Sequence, residues 1–207
     1  HYTPQNAIMV IAGDVQFEEI KKLVSKWFAD IPAGNKYHRN IPQEPKQLSE
    51  RRETVVADVP LDALFMSFHA PARMDENYHA MDLVSDLLSR GSSSRLYRRL
   101  VKEQELFSEI NAYVMGSIDP NLFLIEGKPS NGITLEEAEA AIWKELDILK
   151  SIEVPAEELE KVKNKIESTH VFAELSILDK AMNLAYYELL GDANELNHET
   201  AKYLAVQ

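Results

Sequence analysis

The chain of 207 residues contains no cysteine. It therefore has no disulfide, no cysteine nucleophile and no thiolate ligand for a metal ion, although this absence does not identify a redox compartment. No segment approaches the ~20 consecutive apolar residues that are needed to cross a bilayer. The sequence also shows no charged and apolar leader of the signal-peptide type. We expect a soluble protein, and the compartment is left open.

Basic residues are scarce in the second half of the chain. Residues 104–207 carry 8 basic and 20 acidic side chains, whereas residues 1–103 carry 14 of each, and no arginine follows Arg99. The formal net charge is −12. An acidic surface repels phosphate groups, so we expect neither nucleic acid nor a membrane as a partner. Hydrophobic residues make up 45% of the chain, which is enough to bury a core.

The first half alternates apolar runs with turn-forming residues. The apolar run over residues 6–13 predicts a strand that is buried on both faces. A helix follows, because apolar residues recur at three- and four-residue steps: Phe17, Ile20, Val24, Trp27 and Phe28. Residues 32–49 contain three prolines and predict a long surface loop. Residues 53–59 and 63–70 predict two strands of a hairpin.

The second half is mainly helical. The predicted elements are a helix over 75–90, a shorter helix over 92–104, strands over 107–115 and 122–128, and helices that begin at Thr134, near Pro155 and near Glu195. Between the last two, helical periodicity continues through Tyr187 to Leu190, where Gly191-Asp192 breaks it. Glu137 lies three residues after Thr134, which is the spacing of a capping box. The order of elements predicts an α+β fold, with a mixed, mainly antiparallel sheet and a layer of helices on one side.

The histidines do not show the spacing of a zinc site. None of the six begins a His-x-x-Glu-His or His-Glu-x-x-His sequence. His170 and Glu174 are four residues apart, but two ligands rarely suffice, and a surface hydrogen bond is the simpler interpretation. His79 is interpreted as part of a solvated helix face. His69 is interpreted as a hydrogen-bonded core residue rather than a catalytic base.

Other candidate chemistry is weak. The turn Gly91–Arg95 could offer free amides to an anion, but it lacks a Walker lysine, so a helix cap is the preferred interpretation. No Gly-x-Ser-x-Gly elbow supports a serine nucleophile. Trp143, Tyr186 and Tyr187 lie in helical patterns and are expected in the core. The residues alone therefore predict an α+β domain without an active site.

Several stretches in order resemble the zinc-free second half of pitrilysin/insulysin-type metallopeptidases, whose relatives include the mitochondrial processing peptidase. The opening segment Tyr2–Val15 resembles the family's Tyr-x-Pro-x-Asn-Ala strand with its Gly-Asp end, and Trp27–Pro32 resembles the close of the helix that follows. Leu87–Tyr97 resembles the small-residue turn and Ser-Arg-Leu helix start. Lys102-Glu103-Gln104 and Pro155–Leu159 continue the match.

The resemblance implies a parent protein in which two similar lobes, or two such chains, enclose a peptide in a chamber. The first lobe would carry His-x-x-Glu-His and a zinc ion that polarises the scissile carbonyl and lowers the pKa of its bound water. Residues 1–207 would be one zinc-free lobe, trimmed from a longer protein. We expect no cofactor in this chain and zinc in the N-terminal half. The expected partners are that N-terminal lobe, a peptide substrate and, in paired-chain families, a second subunit.

The chain departs from the family at two positions. Active members often carry an Arg and a Tyr that flank the Lys-Glu-Gln segment and contact the substrate. Alignment on Lys102-Glu103-Gln104 places Leu100 and Phe107 at those positions, and neither can donate the required hydrogen bonds. We therefore assign no catalytic residue and no metal ligand, and the substrate-binding residues are not identified.

Three functions remain open at this point. The first is the substrate-enclosing lobe of a zinc peptidase that acts on peptides or unfolded segments. The second is a lobe of a non-catalytic partner or core subunit of the same family. The third is an unrelated α+β binding module. We expect the isolated chain to be folded, zinc-free and inactive.

Overall fold

The computed structural model describes residues 2–42 and 44–207, and these divide into two compact units. The first unit contains residues 2–42, 44–58 and 174–196, and the second contains residues 59–173 and 197–207. His1 and Gln43, the latter within the predicted loop over 32–49, lie outside the described residues.

Six α-helices and three strands make up the regular structure of the described residues. The helices are α1 (Phe17–Phe28), α2 (Tyr78–Ser89), α3 (Leu135–Ser151), α4 (Ala156–Ala173), α5 (Ile177–Leu190) and α6 (Glu199–Ala205). The strands are β1 (Leu64–Ala70), β2 (Phe107–Val114) and β3 (Asn121–Pro129). A π-helical segment spans Tyr97–Glu103, and 3-10 turns span Pro4–Asn6 and Ala193–His198.

The three strands form an antiparallel sheet in the order β1-β3-β2. Phe68 of β1 is opposite Phe123 of β3, and Ala112 of β2 is opposite Ile125. Side chains of a strand point alternately to the two faces of its sheet. On β1 the alternation leaves Met66 and Ala70 buried and the residues between them more exposed. Within the second unit α2 packs against β2 and α3 packs against β1, which confirms the predicted α+β class.

The main core lies in the second unit, between the sheet and its helices. Its most deeply buried apolar side chains are Leu88, Leu96, Leu100, Phe107, Ile125 and Ile142. Phe68 adds an edge-to-face contact with Trp143, whose ring centroid lies 5.8 Å away. Trp143 is therefore packed against the core, as predicted from its helical pattern.

Local sequence signals set several helix ends as predicted. Thr134 accepts a hydrogen bond from the Glu137 amide at 3.2 Å, and the Glu137 carboxylate accepts one from the Thr134 amide at 3.0 Å. This is the capping box that starts α3. Helix α5 ends at Gly191, whose φ of 134° is unfavourable for residues with a Cβ.

Two strand predictions are wrong. No strand is assigned over residues 6–13 or 53–59, although both runs are rich in apolar residues. An apolar run indicates a tendency to be buried, but a strand also needs a neighbouring backbone to pair with. Among the described residues no backbone hydrogen bond joins residues 8–12 to another segment, and Val56 is fully exposed to solvent. The helix predicted over 92–104 begins at Arg95 and is π-helical over Tyr97–Glu103.

Candidate functional site

A polar groove of about 460 Å³ lies beside the outer edge of β2, in the second unit. The second half of α2 forms one wall and β2 forms the other, with the carboxylates of Asp82, Asp86 and Glu126 among the lining groups. The Tyr113 hydroxyl approaches Glu126 at 3.5 Å. Arg90 also lines the groove, so three carboxyl groups face one guanidinium and the balance of charge is negative.

Asp86 is the most buried carboxylate of this groove. Both of its oxygens accept hydrogen bonds from the Arg90 guanidinium at 3.2 Å. Burial nevertheless raises the pKa of the Asp86 carboxyl above its ordinary value, because loss of hydration outweighs the attraction of Arg90. The groove therefore contains a carboxyl group that holds its proton to higher pH than an exposed aspartate does.

The outer edge of β2 is closed by a side chain of α2. The Ser89 hydroxyl donates to the Ala112 carbonyl at 2.7 Å and accepts from the Ala112 amide at 2.8 Å. One hydroxyl thus satisfies both backbone groups of Ala112 that point away from β3. The edge of β2 is thereby blocked at its centre against addition of another strand.

A buried cluster of polar side chains joins α6 to α2. The Arg73 guanidinium donates to the Glu199 carboxylate, and His79 Nε2 lies 3.2 Å from the same Glu199 oxygen. The Tyr203 hydroxyl donates to Asp82 at 2.5 Å. Burial, followed by the charge of Asp82, raises the pKa of Tyr203 well above its ordinary range, so this hydroxyl remains a donor.

The surroundings of His79 and His69 differ from those predicted from the sequence. His79 is buried, with its ring 4.7 Å from that of Tyr203, so the prediction of a solvated helix face is wrong. His69 lies on the exposed side of β1, so the prediction of a core histidine is also wrong. His170 Nδ1 lies 2.9 Å from the Thr200 hydroxyl, and burial lowers the pKa of the imidazole.

Hydrogen bonds within the protein hold the turn at Gly91–Arg95, and they account for its conformation without a bound anion. Ser94 donates through its hydroxyl to the Gly91 carbonyl at 2.7 Å, and Lys161 donates to the Ser93 hydroxyl at 3.1 Å. Arg95 makes a partly buried bidentate contact with Glu158 of α4, at 2.7 and 3.1 Å. This contact lowers the pKa of the Glu158 carboxyl. The turn therefore joins α4 to the segment that leads into β2.

Leu100 and Phe107, the two positions aligned with the family's Arg and Tyr, both point into the core. Each side chain is 1% exposed. The segment between them has unusual backbone geometry, since Tyr97–Glu103 is π-helical and Glu105 has a positive φ of 56°. At these two positions the chain offers apolar packing and no polar group to a peptide. Their assignment as the family's substrate positions stays a prediction.

Sequence reasoning missed the buried polar cluster. Arg73 and Glu199 lie 126 residues apart in sequence, and neither belongs to a motif. One signal for this cluster is present in the sequence. Glu199 and Tyr203 are four residues apart in a short helix, so both lie on one face of it. That signal does not identify the partners on α2.

The described residues hold no group of three or more His, Cys, Asp or Glu side chains that could bind a metal ion. In the part of the chain that the structure describes, no helix is both long and apolar enough to cross a membrane. The fold and the site residues together define an α+β domain with a three-stranded antiparallel sheet and a buried polar cluster.

Comparison with known proteins identifies the family. Residues 1–166 match the profile of the peptidase M16 inactive domain. The chain therefore belongs to the M16 peptidase family, and the resemblance to pitrilysin-type zinc peptidases is confirmed. The curated zinc protease PqqE of Helicobacter pylori is 29% identical over 209 residues, covering 99% of this chain and 47% of that protein.

Solved structures agree with this assignment. The crystal structure of a protease from Helicobacter pylori is 27% identical and superimposes with a TM-score of 0.87, over 95% of this chain and 48% of that one. The peptidase M16 inactive domain from Pseudomonas fluorescens shares the fold, with a TM-score of 0.73 at 16% identity, over 94% of this chain and 46% of that one. The chain thus spans about half the length of the curated relatives it matches.

Proposed function

We propose that this chain is the zinc-free lobe of a zinc-dependent peptidase and encloses peptides or unfolded segments against a catalytic N-terminal lobe. The observation that carries the proposal is the match of residues 1–166 to the inactive domain of the M16 family. The name of the Helicobacter pylori relative, a zinc protease about twice as long, supports a catalytic half outside this chain.

The proposed division of labour has a physical basis. The zinc ion in the other lobe would polarise the scissile carbonyl and activate a water molecule. The lobe described here would hold the peptide so that its scissile bond stays beside that zinc ion, and separation of the lobes would lose this positioning. The burial of Leu100 and Phe107 is compatible with a lobe that encloses the peptide, because neither position offers a reacting group.

The first test measures the zinc content and peptidase activity of the full-length protein. We expect about one zinc ion per chain and cleavage of unfolded peptides that stops on chelation and returns with added zinc. We expect the 207-residue chain to bind no zinc and to cleave nothing. Stoichiometric zinc or chelator-sensitive cleavage in the 207-residue chain would refute the proposal.

A second candidate is a lobe of a non-catalytic partner or core subunit of the same family. The observation that favours it is the burial of Leu100 and Phe107, because a lobe with apolar side chains there supplies neither Arg nor Tyr. A full-length protein without zinc would select this candidate. Zinc without cleavage, followed by cleavage after addition of a second family subunit, would indicate that the Arg and Tyr come from a partner.

A further inference from the structure

Helix α6 is attached to its neighbours through polar groups more than through apolar ones. It has seven residues, of which Glu199 and Tyr203 are buried. Tyr203 is the α6 member of a small apolar cluster that also contains Leu83 of α2 and Val162 and Ile166 of α4. Elements with few buried apolar contacts open locally at a lower free energy than the core does. The docking of α6 therefore depends on how its polar groups are paired.

On the α2 side, the partners of α6 are ionisable side chains. The Glu199 carboxylate accepts a hydrogen bond from the guanidinium of Arg73, in the segment before α2, and lies 3.2 Å from Nε2 of His79. The Tyr203 hydroxyl donates to Asp82 at 2.5 Å. Asp82 also lines the polar groove beside β2. A change in the docking of α6 therefore reaches one wall of that groove.

On the α4 side, the partners of α6 are His170 and Lys163. Nδ1 of His170 lies 2.9 Å from the Thr200 hydroxyl, and the imidazole meets the Tyr203 ring edge-on, with 5.8 Å between the ring centroids. Lys163 donates to the carbonyl oxygen of Leu204 at 2.9 Å. Of these two side chains, His170 is the one that titrates near neutral pH, since an ordinary imidazole has a pKa of about 6.5.

The charged groups around His170 come from α6, from α2, from the segment before α2 and from α4 itself. They are Glu199, Asp82, Arg90, Arg73 and, exposed on α4, Glu167 and Glu174. Glu199 already pairs with Arg73, and Asp82 already accepts a hydrogen bond from Tyr203. A proton on His170 therefore adds a positive charge beside carboxylates that are already paired. Burial lowers the pKa of the imidazole, because loss of hydration outweighs the attraction of Glu199.

His79 is the second histidine of this cluster, and a proton on it has the opposite effect. Its Nε2 faces the Glu199 carboxylate at 3.2 Å, so a protonated His79 adds a charge-assisted hydrogen bond to α6. Because the two histidines act on α6 in opposite directions, single variants can separate their contributions.

We propose that α6 is an acid-sensitive latch, which undocks locally from α2 and α4 when His170 becomes protonated. In the undocked helix the imidazole is hydrated and takes up a proton below about pH 6.5, whereas in the docked helix it does so only at lower pH. The neutral imidazole therefore stabilises docking above about pH 6.5, and this stabilisation is lost as the pH falls below that value. Undocking removes the Tyr203 hydroxyl from Asp82 in the wall of the groove. The latch depends neither on zinc nor on peptide cleavage.

Hydrogen exchange of the full-length protein, measured by mass spectrometry, tests the latch. Protection factors, corrected for the effect of pH on chemical exchange, are compared at about pH 7.5 and about pH 5. For the amides of 203–206 we expect a fall of about 3- to 30-fold, and the upper value applies if the docked helix keeps His170 fully neutral at the lower pH. The amides of 122–125 in β3 should be protected at least about 10-fold more than those of α6 at both pH values, which shows that α6 opens locally.

Substitution of each histidine identifies the group responsible. His170→Gln keeps a side chain that can hydrogen-bond to Thr200 but does not titrate, so the protection of α6 should change by less than about 2-fold between the two pH values. His170→Ala also loses the hydrogen bond, so protection should be lower at both pH values and equally insensitive to pH. His79→Gln should leave the fall in place or enlarge it. His38→Gln is the matched control, because His38 is exposed and lies in the first unit.

Several results would overturn the proposal. These are protection of α6 that does not fall at the lower pH, a fall that is unchanged in both His170→Gln and His170→Ala, and equal protection of α6 and β3, which would mean that α6 opens only by global unfolding. A fall that is lost in His79→Gln and kept in the His170 variants would assign the effect to His79 and would overturn the proposal as well. Protection of β3 in each variant verifies that the variant is folded.

Discussion

Glu199→Ala is the sharpest test of how α6 is held to α2 within the second unit. The substitution leaves the Arg73 guanidinium buried with its carboxylate partner removed and takes a neighbour from His79. Breaking a buried ion pair by removing one member costs about 3–5 kcal/mol, because the remaining charge stays desolvated. For a chain of this size that loss corresponds to a fall of about 6–20 °C in the unfolding midpoint.

The assay uses the fluorescence of Trp143, which reports on the second unit. The chain has two tryptophans, so Trp27→Phe provides a background in which Trp143 is the sole reporter. Glu103→Ala is the matched control, because its pair with Arg98 is solvent-exposed at 3.5 Å and should contribute less than about 1 kcal/mol. A cost below about 1 kcal/mol for Glu199→Ala in urea unfolding would refute the reasoning.

Three further substitutions have defined outcomes. Asp86→Asn should reduce the loss of stability that accompanies rising pH. The reason is that a carboxyl group whose pKa is raised by folding favours the folded state only while it is protonated. Unfolding curves of the variant and of the unchanged chain, recorded at several pH values above about 4, check this. Ser89→Ala should cost about 1–3 kcal/mol and promote aggregation, measured by light scattering, because it leaves the Ala112 amide and carbonyl without their hydroxyl partner. Gly127→Ala should cost about 1–3 kcal/mol in urea unfolding, since its Cβ would lie 2.6 Å from the buried Phe107 ring.

Local signals in the sequence predicted much of the second unit. The capping box at Thr134 and the glycine at 191 act within a few residues, so pattern reasoning places the ends of α3 and α5 correctly. The strands predicted near 63–70, 107–115 and 122–128 are also confirmed, because each finds a neighbour in the same sheet. Here local propensity and tertiary pairing agree.

The sequence failed where the outcome depends on distant groups. The run over 6–13 has the composition of a buried strand, but pairing depends on a sheet edge that composition does not specify. His79 was predicted to be solvated because acidic residues surround it in sequence, whereas Glu199, 120 residues away, draws it into a buried cluster. Burial of a polar side chain depends on such long-range partners, which a single sequence does not identify.

The burial of Leu100 and Phe107 also constrains how this lobe could act on a peptide. Both side chains belong to the same core cluster as Ile125, so a change to Arg or Tyr at either position would have to disturb the packing of the sheet. A buried guanidinium at position 100 would need a new partner, since an unpaired buried charge is strongly destabilising. On the predicted alignment, simple substitution at these two positions would therefore not supply the family's polar pair, and we expect such a pair to come from another chain or lobe.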